Sequence, residues 1–228
     1  MAGRIIRVPL AGGPSVTLAS GVDAPGHIAT DGAFLYWTGG TTQGSITRLA
    51  LGDGAVPTTL VGGLSHPLAI AVADGFVYWT DFADGTVLRT PAAPSDADAG
   101  TTPDGGASPA VMRLAYGLQR PADLAVRDGY VYYPDRAGRV LRIPTGGGAP
   151  DLLATVTAAP FGVATDGVAV YWSAPGTPGG VFKAPVSGAG PVVTIAGTEL
   201  DPHFLAVDGT SVYWGDWGGG GIVRSAPK

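Results

Sequence analysis

The segment Ala-Val-Ala-Asp-Gly-Phe-Val-Tyr-Trp-Thr-Asp, residues 71–81, recurs in four further versions at 29–38, 125–135, 164–174 and 206–216. Pro25, Pro67, Pro121, Pro160 and Pro202 each lie 12 residues before an aromatic, at Trp37, Trp79, Tyr133, Trp172 and Trp214. A second series, Gly-x-apolar-x-basic, ends at Arg7, Arg48, Arg89, Arg142, Lys183 and Arg224, with spacings of 41, 41, 53, 41 and 41. The chain is thus a repeat of about 40 residues with one insertion, a period that several short strands fill. Helical repeats of that length need apolar residues every 3.6 positions, a pattern missing here.

Each repeat divides into four strands. Strand 1 carries Ala29, Ala71, Ala125, Ala164 or Ala206, small side chains expected to let neighbouring sheets approach. Asp-Gly at 31–32, 74–75, 128–129, 166–167 and 208–209 is expected to supply the positive-φ positions of a tight hairpin. Strand 2 carries the Tyr-Trp pair, and adjacent strand residues point to opposite faces, so both faces of each sheet are apolar. Strand 3 is the Gly-x-apolar-x-basic segment, whose Arg is expected to lie against a neighbouring aromatic. Strand 4 includes Ser15–Gly21, Pro57–Gly63, Ala110–Gly117, Asp151–Val156 and Val192–Gly197. The composition agrees: 38 Gly and 20 Pro favour turns, while two Lys and a single Glu leave little to cover exposed helix faces. The predicted fold is all-β, a propeller of four-stranded antiparallel blades forming a single domain over residues 1–228.

Val-Tyr-Trp-Thr-Asp at 77–81 matches in full the motif that names the YWTD-type propellers of lipoprotein receptors, and the other copies keep part of it. The chain resembles that family and, more broadly, the six-bladed TolB-like superfamily and its bacterial relatives. The resemblance spans almost the whole chain and implies six blades and an extracellular or periplasmic setting. It does not imply one function, because propellers host receptors, scaffolds, lactonases and lyases. Strand 3 occurs six times and strands 1, 2 and 4 five times each. The expectation is either a five-bladed ring with one spare strand, or a six-bladed propeller lacking two N-terminal strands and one C-terminal strand.

Several function classes are excluded. A net charge of −5, with basic residues scattered singly, carries no nucleic-acid footprint. No apolar run is long enough for membrane insertion, and Met1–Leu10 lacks the apolar stretch of a leader. Without cysteine there is neither a disulfide framework nor a thiolate metal site. Residues at about 91–110 form a low-complexity insertion read as a solvated linker, since Asp96, Asp98 and Asp104 lack the closing Glu of a calcium loop.

In propellers the strand 4 to strand 1 loops share one end, the top, with the strand 2 to strand 3 loops. The repeats differ there. The two positions after each proline read Gly26-His27, Leu68-Ala69, Ala122-Asp123, Phe161-Gly162 and His203-Phe204. The 2–3 loops add Asp81, Phe82, Asp135, Arg136, Asp216 and Trp217, the last being the only tryptophan outside the repeated motif. The candidate ligand-binding residues are therefore His27, Asp81, Asp123, Arg136, Phe161, His203, Phe204 and Trp217. As rim groups free of packing duty, His27, Asp123, His203 and Trp217 are expected to tolerate truncation. Two histidines and a carboxylate from three repeats do not by themselves make a metal site, and neither metal nor cofactor is assigned. The expected function is a non-enzymatic, monomeric binding or scaffold propeller that engages a protein, peptide or glycan through its top face. The alternative is a hydrolase, lactonase or lyase acting at the channel mouth; a chain with one Glu and no Asn lacks the acidic and amide ligand ring of propeller lactonases.

Overall fold

A computed structural model describes residues 2–40, 43–52, 54–93, 100–101, 107–108, 110–176, 178–218 and 221–225. Every regular element among them is a strand. The chain divides into two compact units, Met1–Ala83 with Arg89–Val111, and Asp84–Leu88 with Met112–Lys228.

In the first unit β1 (Ala2–Arg7) pairs antiparallel with β2 (Val16–Asp23). The strands β3 (Ile28–Thr30), β4 (Phe34–Gly39), β5 (Gly44–Ala50) and β6 (Thr58–Leu64) follow as one four-stranded meander. The next repeat begins with the antiparallel pair β7 (Pro67–Ala73) and β8 (Phe76–Asp81). Its third strand, β9 (Thr86–Pro91), is divided between the units. The insertion is not wholly irregular: β10 (Gly100–Thr101) and β11 (Ala107–Ser108) pair as a two-stranded ladder, which asks for no more than two extended dipeptides. Asp96, Asp98 and Asp104 lie outside the described residues.

Beyond Asp84–Leu88, the second unit continues from β12 (Met112–Ala115). Two four-stranded meanders follow. The first is β13 (Ala125–Arg127), β14 (Tyr130–Asp135), β15 (Arg139–Pro144) and β16 (Asp151–Thr155). The next is β17 (Val163–Thr165), β18 (Ala169–Ala174), β19 (Gly179–Pro185) and β20 (Val193–Glu199). A three-stranded sheet of β21 (Pro202–Val207), β22 (Val212–Asp216) and β23 (Gly221–Ser225) ends it. Among the described residues the third strand of the repeat therefore occurs six times and the others five times each.

The register repeats with the sequence. Ala29 faces Tyr36, which faces Arg48; Ala125 faces Tyr132, which faces Arg142; Ala164 faces Tyr171, which faces Lys183. The Tyr-Trp pair splits between faces as period-two alternation demands. Trp172 packs with Tyr132, Val140, Leu153 and Ala154 of the preceding sheet, while Tyr171 packs with Val212 and Trp214 of the following one. The guanidinium groups of Arg48, Arg89 and Arg142 lie 5.2, 4.2 and 4.2 Å from the ring centroids of Phe34, Phe76 and Tyr130, two residues before the tyrosine of the same sheet.

Two local expectations need correction. Asp74-Gly75 and Asp128-Gly129 have positive φ at both positions and close two-residue hairpins, whereas at Asp31-Gly32 and Asp166-Gly167 only the glycine is positive, and at Asp208-Gly209 neither is. The cause is placement: in these three repeats the Asp follows the strand 1 alanine by two residues instead of three, so the loop is longer and the carboxylate closes it. Asp31 Oδ1 accepts the amides of Ala33 and Phe34, and Oδ2 accepts the Tyr36 hydroxyl. The same set recurs at Asp166 and Asp208. The strand 1 alanines also differ, since Ala164 is buried, Ala29, Ala71 and Ala125 are half-buried, and Ala206 is exposed. Strand 1 is an edge of each meander, so its side chains gain cover from one side only.

Candidate functional site

The last residue of strand 2 is a buried aspartate in three repeats, and its carboxylate fastens the loop between strands 4 and 1. Asp81 accepts the amides of Ser65 and His66 at 3.0 Å and of Ala83 at 3.2 Å. Asp135 accepts those of Gln119 and Ala137 at 2.9 Å and pairs with Arg139. Asp216 accepts the amide of Asp201 at 2.9 Å. The residue after each aspartate is then docked by its own amide: Phe82 N–H to His66 O, Arg136 N–H to Gln119 O, Trp217 N–H to Asp201 O, at 2.9 to 3.0 Å. The backbone is thus the same in each case, and only the side chain at 82, 136 or 217 is left to vary. Asp81 is 1% exposed, so it reaches a ligand only by giving up loop amides.

One residue before the aspartate position the repeat reads Thr38, Thr80, Pro134, Ser173 and Gly215. Thr38 Oγ1 accepts the His27 amide and donates to Leu68 O, both at 3.0 Å, which joins two consecutive repeats. Ser173 Oγ accepts the Gly162 amide at 2.9 Å and donates to His203 O. Pro134 has no hydroxyl. In its repeat Asp123 makes the link instead: Oδ1 accepts the Leu124 amide and Oδ2 the Val163 amide of the next repeat, each at 2.9 Å. Burial pushes the Asp123 carboxyl up to about 7, against the pull of those two amides toward the charged form.

The second unit gathers four aromatic side chains. Gly162 brings two loops together, since a Cβ there would meet His203 O at 2.5 Å. With its carbonyl held, His203 turns Nδ1 to Asp201 O at 2.9 Å, the same carbonyl that docks Trp217. The Trp217 indole lies parallel on the imidazole, with centroids 4.0 Å apart and an interplanar angle of 11°. Phe161 meets His203 edge to face at 4.5 Å and Phe204 at 5.3 Å. The Arg136 guanidinium lies 5.8 Å from the Phe161 centroid. Trp217 is 65% exposed, Phe161, Phe204 and Arg136 are half-buried, and His203 is 8% exposed. The result is a cluster of four aromatic side chains, with the imidazole fixed through Nδ1, the indole face exposed and a cation at one side.

No protein-family model matches the chain, and no curated protein matches it in sequence. Solved structures do. One is a nidogen/laminin complex, with a TM-score of 0.74, 20% identity, and 98% of this chain and 86% of that one covered. The chain is a β-propeller. Other similar propellers include a catalytically inactive virginiamycin B lyase from Staphylococcus aureus solved with quinupristin (TM-score 0.72, 14% identity, 99% of this chain and 74% of that one). The PQQ-bound aldose sugar dehydrogenase from Streptomyces coelicolor is a third (TM-score 0.64, 16% identity, 99% and 88%). At such identities the likeness carries the fold alone, and the fold serves both binding proteins and enzymes.

Within the propeller the expected site residues part company. Arg136, Phe161, His203, Phe204 and Trp217 come together in the second unit. Asp123 lies in the same unit, but at 8% exposure it is a buried link between repeats, and the expected tolerance of Asp123 and His203 to truncation does not fit their burial. His27 and Asp81 belong to the first unit. His27 is half-buried, and burial holds its imidazole below the ordinary value. In that unit His66 meets Phe82 edge to face at 5.6 Å, a pair that sequence reasoning missed; the signal was His66 standing directly before Pro67. Among the described residues no group of three or more His, Cys, Asp or Glu side chains is placed to hold a metal ion.

Proposed function

We propose that the protein is a non-enzymatic binding propeller, acting as one domain outside the cytoplasm, that takes a protein or peptide segment on the platform of Phe161, His203, Phe204 and Trp217. The observation that carries this reading is the exposed Trp217 indole stacked on a buried imidazole. One backbone carbonyl holds the imidazole through Nδ1 and the Trp217 backbone through its amide, and the indole rests on that imidazole, so little freedom is lost when a ligand covers them. Aromatic side chains with few rotatable bonds and an exposed face are the usual anchors of protein interfaces. The similar nidogen structure is itself a complex with laminin, which supports a protein ligand. Asp123, the one carboxylate among the residues that follow the repeated prolines, already accepts a backbone amide at each oxygen.

The test is selection of displayed random peptides on the whole protein, beside a glycan array. Selected peptides should lose at least tenfold in affinity when Trp217→Ala and Phe204→Ala are combined in a protein whose circular dichroism is unchanged. Undiminished binding to that folded variant removes the platform from consideration, and glycan binding in place of peptide binding replaces the ligand class.

A further inference from the structure

Arg136 differs from its neighbours in what it faces. Arg139 pairs with Asp135, Arg142 Nε lies 2.9 Å from Asp151 Oδ2, and Arg127 Nε lies 3.5 Å from Asp128 Oδ2. Among the described residues Arg136 has no carboxylate within ion-pair distance. The adjacent Asp135 side chain is turned to Arg139 and to the amides of Gln119 and Ala137. The Arg136 backbone is fixed by its bond to Gln119 O, and its guanidinium rests against Phe161. A guanidinium beside a ring keeps its N–H edges free for a carboxylate, and the ring shields the pair from water. Phe161 touches His203, and His203 carries Trp217. The cation and the exposed indole are therefore joined by a chain of touching rings.

We propose that the segment bound by this platform carries an acidic residue close to an apolar ring, the carboxylate paired with Arg136 and the ring of a Trp, Tyr, Phe or Pro laid on Trp217. The spacing follows from the contacts. Steps of 5.8, 4.5 and 4.0 Å separate Arg136, Phe161, His203 and Trp217. An extended peptide rises about 3.3 Å per residue, so the two anchors lie within roughly four residues of each other. The inference rests on the binding-platform reading above and adds the chemistry of its ligand.

The experiment is parallel selection of short random displayed peptides on the whole wild-type protein and on its Arg136→Glu variant, followed by affinity measurement of the wild-type winners. The wild-type pool should be enriched in Asp or Glu within four residues of a ring, and the variant pool should not. Wild-type peptides should bind Arg136→Glu more than tenfold more weakly, and Arg136→Lys, which keeps the charge but not the planar N–H edge, should lie between wild type and Arg136→Glu. Their affinity should fall when ionic strength rises from about 0.05 to about 0.5 M, a dependence that Arg136→Gln abolishes. Ring-bearing peptides that carry no acid, or acidic ones that bind Arg136→Glu undiminished, overturn the acidic-ligand proposal while their loss on Trp217→Ala keeps the platform. A library with no binder, or binders indifferent to Trp217→Ala, overturns the platform reading itself.

Discussion

Replacing Asp123 by Asn tests the buried link between two repeats through its pH dependence. The folded carboxyl sits at about 7 against an ordinary value of 3.8, with burial as the leading cause. Between pH 4 and 7 the folded protein therefore holds a proton that the unfolded chain has released. Stability contributed by this group is complete below pH 4, falls as the pH rises, and is lost above 7. A displacement of about three pH units corresponds to roughly 4 kcal/mol, of which about 3 kcal/mol falls between pH 5 and 8. Asn has the same shape and no titration. Asn keeps one carbonyl oxygen for the Leu124 or the Val163 amide but sets an amide nitrogen, which cannot accept, against the other, so near pH 5 the Asn variant should be the less stable by about 1–3 kcal/mol. Between pH 5 and 8 the difference should move in favour of the Asn variant by about 3 kcal/mol. Urea unfolding at pH 5, 6, 7 and 8, followed by tryptophan fluorescence, measures the difference and cancels the titration of all other groups. A difference that stays flat would refute the argument. One that moves the other way would mean that the two amides outweigh burial, so that the carboxylate is the favoured folded form.

Other outcomes follow from the same geometry. Trp79→Ala should cost about 3–5 kcal/mol, since Trp79 is fully buried, whereas Trp217→Ala should leave the melting midpoint within a degree or two by calorimetry. Asp81→Ala should cost about 1–3 kcal/mol per amide left without an acceptor at Ser65 and His66; an unchanged midpoint would show that these loops do not need the carboxylate. Gly162→Ala should destabilise by about 1–3 kcal/mol and broaden the His203 ring resonances in NMR spectra, because the added Cβ collides with His203 O; a sharp, unshifted His203 signal would rule out the close approach. Asp74→Gly should change stability by less than about 0.5 kcal/mol, because Asp74 sits at positive φ, whereas Asp31→Gly should cost about 1 kcal/mol or more, because it removes the acceptor of the Ala33 and Phe34 amides; equal effects in urea unfolding would contradict the two-class turn assignment.

Much of the fold was legible because it is written in local chemistry. Strand identity follows from alternation and turn residues, and the pairing of Ala29 with Tyr36 follows from a spacing of seven residues that recurs in every repeat, whereas the step from Tyr36 to Arg48 varies between 10 and 12 residues with the length of the connecting loop. The cation over an aromatic at Arg48, Arg89 and Arg142 was legible for the same reason, since a fixed register puts those side chains on one face. The Asp-Gly turns were half legible: the dipeptide marks the hairpin, but its offset from the strand decides whether the Asp takes positive φ or closes the turn with its carboxylate. Pro134 was visible as a departure from Thr or Ser. That Asp123 makes up for it was not, because the amide it accepts belongs to Val163, 40 residues away.

The sequence alone determined the repeat, its strands, their register and the positions free to vary, since each depends on residues a few places apart or on a spacing that recurs. Only the tertiary structure decided which varying residues act together. Phe161 and Trp217 come from separate loops and His203 from the start of β21, and they meet because Gly162 admits the His203 carbonyl, Ser173 holds it, and Asp201 O fastens both the imidazole and the Trp217 amide. Those contacts are made between sheets packed face to face. Their distances depend on side-chain volumes throughout the interface, which no single stretch of chain contains.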